Sequence, residues 1–499
     1  MRIGIIGGGA STTCIIDALA TLVPWQGSLH IFEPTPNLWR GRAYQNDSDT
    51  VLVNSRAEDM SVRIGDPGHF DRWLISRYAS IGGAAPEFAP RSIYGEYLSA
   101  VGDESVVRLR EKGWDVDVIP LAVTGSRRGE DSISLSSGSL LYGPFDCVIV
   151  AVGVGRPDDI FGLQDAVNFV HDPYPIAEKL SGIGSGDAVA VVGSGLTAVD
   201  TVLALDARGH RGRITLLSRR GILPAVRQRP IEYEPEHFVP ARLHALAGED
   251  KKLELSEVLD LLRLEFEESG ARFDDVLVEI TGRDREEPLR RLQRQIDAVD
   301  SDHIGLRILQ TAVPVCGPDL WPLLADEVKR EVLETHYRTL MSLCCPMPLS
   351  SARTLSRLMR AGRLEVMHGT IDITATAAGD FVINPPSASF RADHVVNCVS
   401  APRHRIPDAA QSLVNSLVEQ GLALLHADGG LCVRTDNSLC NNNGPRGYRR
   451  HPRLYAIGDI TGGTFFFTFG IPSLVDRCRD IVMDLLMVGR VDERRESYV

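Results

Sequence analysis

No Cys-x-x-Cys pair occurs among the nine cysteines of this chain, and their scatter suits neither a disulfide framework nor a structural zinc site. Packed thiols in a reducing, cytoplasmic setting are expected instead. Cys344 beside Cys345 fits neither a zinc knuckle nor a usual redox dithiol. The sequence also lacks any run of about twenty unbroken apolar residues, so no membrane span is expected. It lacks a basic excess: 53 Lys and Arg against 66 Asp and Glu leave a net charge of −13, which argues against non-specific nucleic-acid binding. No low-complexity tract is present, no His, Asp and Glu cluster has metal-ligand spacing, and no nucleophile–base triad has local support. No metal is therefore expected, and no catalytic side chain is assigned. The opening apolar stretch is interrupted by Gly7 to Gly9 and has no small-residue cleavage site after it. It reads as the first strand, turn and helix of the fold rather than as a signal peptide.

What remains is ordinary globular composition, 43% hydrophobic and 24% charged, in a chain of 499 residues that is too long for one core. Two glycine-rich turns stand out. The first, Gly7-Gly8-Gly9-Ala10-Ser11-Thr12, follows the apolar strand Ile3 to Ile6, and Glu33 lies 26 residues after Gly7. The second, Gly193-Ser194-Gly195-Leu196-Thr197-Ala198, follows Ala188 to Val192, and Arg219 lies 26 residues after Gly193. In such a unit the first glycine permits a tight turn, the second lets backbone approach a pyrophosphate, and the helix N-terminus supplies N–H donors. A carboxylate at the end of the second strand accepts bonds from free ribose hydroxyls, whereas an arginine accommodates a 2′-phosphate. Two different dinucleotides are thus expected, the second of them NADPH. Gly7, Gly9, Ser11, Thr12 and Glu33 are the first set of candidates; Gly193, Gly195, Leu196, Thr197, Ser218, Arg219 and Arg220 are the second. Thr12 departs from the usual third glycine, and Ala198 is a small-residue alternative to it. Arg219 is preferred over Arg220 for the phosphate, since a charged doublet is otherwise most often solvated surface.

The expected fold is α/β, with two Rossmann-type dinucleotide-binding domains and a helical insertion. Strand, helix and strand are expected at Arg2–Ile6, Ala10–Leu22 and Leu29–Phe32, and again at Ala188–Val192, Thr197–Ala207 and Arg213–Leu217. Trp114 to Leu140 alternates as a β-meander would, and Phe145 to Val150 reads as a buried strand. Pro240 to Arg360 is charged and helical in period. Strands return at Arg363–Met367, Phe381–Ile383, His394–Val399 and Arg453–Ile457, before a final helix over Ser473–Val488. These elements divide the chain into 1–157 and 401–499 for the first nucleotide, 158–225 and 361–400 for the second, and 226–360 as the insertion and substrate region. Basic clusters that would suit a substrate carboxylate are Arg290 with Arg291, Arg403 to Arg405, and Arg446 with Arg449 and Arg450. Arg291, Arg446 and Arg449 are the substrate candidates, although a solvated face is the plainer reading of the first cluster. Phe465 to Phe467 pack either into the core or around a flavin ring.

The two turns, the strand ending Ala151-Val152-Gly153, and Gly458-Asp459 together resemble two-dinucleotide flavoproteins. The disulfide reductases among these also need a closely spaced cysteine pair, which is missing here. Gly41-Arg42-Ala43-Tyr44, Leu52-Val53-Asn54 with Met60, Pro90-Arg91 with Tyr94-Gly95, and Ser218 to Pro224 make the chain similar to the bacterial FAD/NAD(P)-binding family related to class B flavin monooxygenases. That resemblance implies FAD at the first turn, with Asn54, Met60 and Asp459 also at the flavin nucleotide, and NADPH at the second. It implies hydride transfer to FAD, an oxygen adduct at flavin C4a, and a nucleophilic substrate atom that takes the distal oxygen. Where many relatives carry Arg-His-Arg followed by Pro, this chain has Leu343-Cys344-Cys345-Pro346-Met347-Pro348. That variant looks similar to amino-acid N-oxygenating members, including aspartate N-monooxygenases that make nitrosuccinate. The implied partners are a small-molecule substrate and dioxygen, with a homodimer as the candidate oligomer. Oxygenation of carbon or sulfur, and a non-catalytic NADPH- and flavin-binding redox sensor, are the alternatives.

Overall fold

A computed structural model describes residues 1–230, 233–248, 251–281, 286–301, 304–401, 405–441, 453–468 and 470–496. The chain opens with β1 (Arg2–Ile6), α1 (Ala10–Leu22), β2 (Ser28–Phe32), α2 (His69–Ser80), α3 (Arg91–Glu111) and β3 (Asp115–Ile119). An antiparallel trio follows, β4 (Gly125–Arg128), β5 (Ile133–Ser137) and β6 (Leu140–Phe145), and then β7 (Cys147–Val150). The next stretch carries β8 (Phe169–Val170), α4 (Ile176–Lys179), β9 (Val189–Val192), α5 (Leu196–Ala207) and β10 (Ile214–Ser218). Among the described residues the helices α6 (Pro240–Ala247), α7 (Leu255–Glu268), α8 (Phe273–Thr281), α9 (Pro288–Asp297), α10 (Gly305–Leu323), α11 (Asp326–Glu331), α12 (Tyr337–Cys344) and α13 (Leu349–Arg360) come next. Five strands close this part, β11 (Leu364–His368), β12 (Asp372–Ala375), β13 (Phe381–Asn384), β14 (Phe390–Ala392) and β15 (His394–Asn397). The C-terminal part holds α14 (Asp408–Glu419), β16 (Arg453–Ala456), α15 (Gly462–Phe465) and α16 (Ile471–Glu496).

Two compact units result. One comprises Met1–Asn46, Ser55–Arg156 and Pro402–Val499; the other comprises Asp47–Asn54 and Pro157–Ala401. The short piece Asp47–Asn54, read from sequence with the first unit, packs with the second. Val51 is fully buried in the second unit's core, and the Asp47 carboxylate accepts from the first backbone N–H groups of α4, at Ile176 and Ala177, both at 2.8 Å. A carboxylate at a helix N-terminus satisfies orphan donors and the dipole together.

Each unit is built on a five-stranded parallel sheet. The orders are β16-β7-β1-β2-β3 in the first and β11-β10-β9-β15-β8 in the second. β1 and β9 are apolar runs with at most one exposed residue, as expected of strands covered on both faces. The expectation of an α/β fold with two Rossmann-type halves and a helical insertion is met. β3 corrects the meander expectation: it pairs in parallel with β2, Leu29 opposite Val116, and joins the main sheet. Within that stretch β4 to β6 form the antiparallel meander, with α14 packed on β4. In α10, Pro314, Pro318 and Pro322 recur at intervals of four on one helical face, each removing a backbone donor.

Candidate dinucleotide sites

The two glycine turns are the same construction made twice, each within its own unit. Gly7 N–H donates to the Phe32 carbonyl at 2.8 Å, and Gly193 N–H to the Leu217 carbonyl at 2.7 Å. Each thereby ties the end of the first strand to the end of the second. Both glycines have positive φ, +105° and +120°, where an L side chain is strained. A Cβ on Gly7 would lie 2.2 Å from the Ala151 carbonyl oxygen, just past β7. One on Gly193 would lie 2.8 Å from the Cys398 carbonyl oxygen, just past β15. No other residue fits either position.

The second glycine of each turn does a different job. Gly9 caps α1 and Gly195 caps α5, and neither helix receives a side-chain cap or an acidic residue in its first turn. Donors at the helix start are left for an outside acceptor. A Cβ on Gly195 would meet nothing within 4 Å, and one on Gly9 only the Gly41 backbone, 3.5 Å from its Cα. The space that a side chain would fill is open, as close approach of a pyrophosphate requires. Leu196 and Thr197 begin α5, and Ser11 lies in the first turn of α1. Thr12 explains its departure from glycine: it is fully buried, and its hydroxyl donates to the Gly7 carbonyl.

At the ribose position the two sites diverge in charge. The Glu33 carboxylate accepts from Gly8 N–H at 2.7 Å and from the Thr35 N–H and hydroxyl at 2.8 and 2.7 Å. These bonds fix its orientation, and a carboxylate retains further acceptor capacity. At the tip of β10, Ser218 Oγ accepts from Gly221 N–H at 2.9 Å, which closes a small turn. Arg219 projects from that turn into solvent, and Arg220 donates to the Thr335 carbonyl. Gly458, at φ +82°, places the start of the Asp459 turn beside Ser11, whose Oγ lies 3.4 Å from where a Cβ would sit. Asp459 itself is exposed. Met60 is buried and its carbonyl accepts from Tyr94 Oη at 2.8 Å. Asn54 belongs to the other unit, where its carbonyl accepts twice from Arg227, at 2.7 and 3.2 Å. Phe465, Phe466 and Phe467 are all buried, and the Arg477 guanidinium stacks 3.4 Å above the Phe465 ring.

Arg291 sits in a network that sequence reasoning did not anticipate. Its guanidinium donates to Glu279 at 3.0 and 3.2 Å, to the Leu223 carbonyl at 3.1 Å and to Ser342 Oγ at 3.3 Å. Burial raises the cost of charge on Glu279, but Arg291 and Arg294 beside it hold its carboxyl below the usual range. Gln295 Oε1 accepts from Val226 N–H, and Gln310 Oε1 from Gln228 N–H, both at 3.0 Å. The donors of Arg291 thus bind α9 to α8, α12 and the chain leaving β10. Arg446, Arg449 and Arg450, with Arg403, lie outside the described residues. The Met347 segment pairs with this same stretch: Met347 N–H donates to the Ala225 carbonyl at 2.7 Å and Arg227 N–H to the Met347 carbonyl at 2.9 Å. Burial pushes the Cys398 thiol up to about 12 and raises that of Cys344. Both remain protonated and unreactive near neutrality. Among the described residues no group of three or more His, Cys, Asp or Glu is placed to hold a metal, and no helix is long and apolar enough to cross a membrane.

Comparison with known proteins agrees with this geometry. Residues 4–155 match the family of FAD-NAD(P)-binding domains, so the flavoprotein resemblance of the first unit is met. No curated protein matches the sequence. Among solved structures, the chain is similar over nearly its whole length to the ornithine N-hydroxylase of Kutzneria sp. 744, at 15% identity and TM-score 0.54, covering 99% of both chains. The cadaverine monooxygenase of the desferrioxamine pathway from Erwinia amylovora superposes at TM-score 0.57 and 13% identity, covering 96% of this chain and 93% of that one. The L-lysine 6-monooxygenase from Pseudomonas syringae does so at TM-score 0.56 and 13% identity, covering 97% and 99%. At such identities the shared property is the fold.

Proposed function

We propose that this chain is an FAD-dependent, NADPH-consuming monooxygenase that N-hydroxylates the amine of a small amino acid, with L-aspartate, oxidised towards nitrosuccinate, as the first substrate to test. The observation that carries the reading is the pair of open glycine cradles with opposite charge at the ribose position, Glu33 in one and Arg219 in the other. A carboxylate is repelled by a 2′-phosphate and suits the free ribose of FAD; an arginine suits NADPH. The fold shared with ornithine, lysine and cadaverine oxygenases supports the reaction class.

In this reading Gly7, Gly9, Ser11, Thr12 and Glu33 hold the FAD pyrophosphate and ribose, with Met60 and Asp459 along the rest of that cofactor; Asn54 is not carried forward, because it belongs to the second unit. Gly193, Gly195, Leu196 and Thr197 hold the NADPH pyrophosphate, and Ser218, Arg219 and Arg220 its adenosine phosphate. FAD, when bound and reduced, supplies the activation of dioxygen. The protein positions the amine and excludes water, and the amine is delivered deprotonated so that its lone pair is free. Overall, one N–H becomes N–OH; dioxygen is split between that hydroxyl and water; NADPH and a proton supply the two electrons and remaining hydrogens. Arg446 and Arg449 are carried forward for the substrate carboxylate on sequence alone. Arg291 is not, because its donors serve Glu279, Leu223 and Ser342.

The test is an amino-acid and diamine panel assayed for oxygen-dependent NADPH oxidation, with hydrogen peroxide quantified and product mass read after labelling with heavy dioxygen. Substrate-coupled turnover with a labelled hydroxylamine, nitroso or nitro product is expected. Oxygen incorporated at carbon or sulfur replaces this reading with a different oxygenase. Colourless protein that cannot be reconstituted with FAD, or peroxide as the sole product with every substrate, overturns it.

A further inference from the structure

Three arginines of the second unit, Arg219, Arg220 and Arg338, are brought into one neighbourhood where the end of β10 meets the turn before α12. Arg219 and Arg220 end β10, and the Arg220 guanidinium donates to the Thr335 carbonyl, which fastens the strand tip to the turn preceding α12. That turn, Val332–His336, is wound as a π-helix, wider than the helices on either side. Such widened turns are frequent at functional sites. Arg338 follows three residues after Thr335, in the first turn of α12, its guanidinium 5.6 Å from the neighbouring Tyr337 ring. Burial holds Arg338 below the ordinary arginine range; Tyr337 acts the other way, and the positive fields of Arg219 and Arg220 add smaller contributions to the lowering. Among the described residues none of the three makes an ion pair, although arginines elsewhere in this chain pair repeatedly, as Arg291, Arg294 and Arg357 do. Like charges without a carboxylate, one of them partly buried and two exposed, are an arrangement that an anion stabilises.

We propose that Arg338, on the helical insertion, closes a three-arginine clamp with Arg219 and Arg220 that grips the 2′-phosphate of the nicotinamide dinucleotide. The inference rests on the NADPH reading and deepens it. A phosphomonoester dianion offers three oxygens, enough for bidentate contact from one guanidinium and single contacts from the others. The strand-end arginines alone would be a solvent-screened doublet; Arg338 adds a donor from a less exposed side and ties nucleotide choice to the insertion. The phosphate therefore links β10 to α12, the helix that leads into the Cys344 to Pro348 segment.

The experiment titrates the FAD-loaded protein with adenosine 2′,5′-bisphosphate and, separately, with 5′-AMP, for wild type, Arg338→Gln, Arg338→Lys and Arg219→Gln. Arg338→Gln should weaken the bisphosphate roughly ten- to a hundredfold, the range expected for a charged hydrogen bond, and leave 5′-AMP unchanged. Arg338→Lys, which keeps the charge but loses the fork, should fall between. The ratio of NADPH to NADH kcat/KM should drop in parallel, through KM. Loss of bisphosphate selectivity in Arg219→Gln but not in Arg338→Gln overturns the clamp and leaves NADPH use standing. Equal weakening of both ligands in Arg338→Gln also overturns it, as a merely structural role would produce that. Wild-type protein that does not distinguish the two ligands overturns the NADPH reading itself.

Discussion

His210 is held neutral by its surroundings. It follows Gly209, whose φ of +77° ends α5, and its backbone N–H donates to the Leu205 carbonyl at 3.0 Å. The ring is buried, with Nδ1 3.1 Å from the Gly184 carbonyl and Nε2 without a hydrogen-bond partner. The Nδ1 contact fixes the proton there, so protonating Nε2 would bury an unsatisfied charged donor. Burial, and secondarily Arg363, lowers the His210 pKa. The unfolded chain therefore binds this proton first. Above about pH 6.5 both states are neutral and the contribution to stability is complete; it is lost as pH falls from there through the folded value. His210→Asn, which can still donate to Gly184, should show a flatter decline of Tm between about pH 7.5 and 5. His69, also lowered by burial, leaves a residual slope in the variant. Parallel Tm profiles for the two proteins would refute this account.

At the level of elements, the helical insertion is organised by a carboxylate that resembles surface charge in the sequence. Glu265 on α7 is fully buried; it accepts from Tyr233 Oη and from the backbone N–H groups of Glu236, His237 and Phe238, the last two at 2.7 Å. It fixes the segment that leads into α6. Glu265→Gln leaves an amide facing those donors and should cost roughly 2–4 kcal/mol in urea unfolding. Glu268→Gln, exposed on the same helix, should stay within about 0.5 kcal/mol. Equal effects would show that Glu265 organises nothing. The contrast also explains what the sequence disclosed. β1 and α1 match their expected bounds, Arg2–Ile6 and Ala10–Leu22, because a glycine turn and local periodicity mark both ends. β3 was misplaced because Asp115 to Ile119 alternates like a meander strand, while its true partner, β2, is more than eighty residues away. The cradles were legible from spacing. Arg338 and Glu265 were not, since a charge in a charged helical block signals nothing until its neighbours are known.

On the scale of the whole molecule, one folding solution is used twice, and each use lies inside a unit with its own core. Gly193→Ala and Gly7→Ala test that independence. An added methyl at Gly193 meets the Cys398 carbonyl at 2.8 Å in a backbone region hostile to alanine; at Gly7 it meets the Ala151 carbonyl at 2.2 Å. Each clash pushes the end of one strand away from its neighbour, just where helix donors and pyrophosphate must meet. Gly193→Ala should therefore purify yellow, with near wild-type FAD content, yet bind adenosine 2′,5′-bisphosphate at least tenfold more weakly, a loss of about 1.4 kcal/mol. Gly7→Ala should lose FAD, and with it the stabilisation that ligand binding confers, while any folded fraction keeps its affinity for the bisphosphate. Absorbance of the flavin and titration of the bisphosphate read the two sites separately in the same sample. If Gly193→Ala instead loses flavin as readily as Gly7→Ala does, the two cradles are not separate devices. The repeat in the sequence would then be an echo of folding rather than of binding.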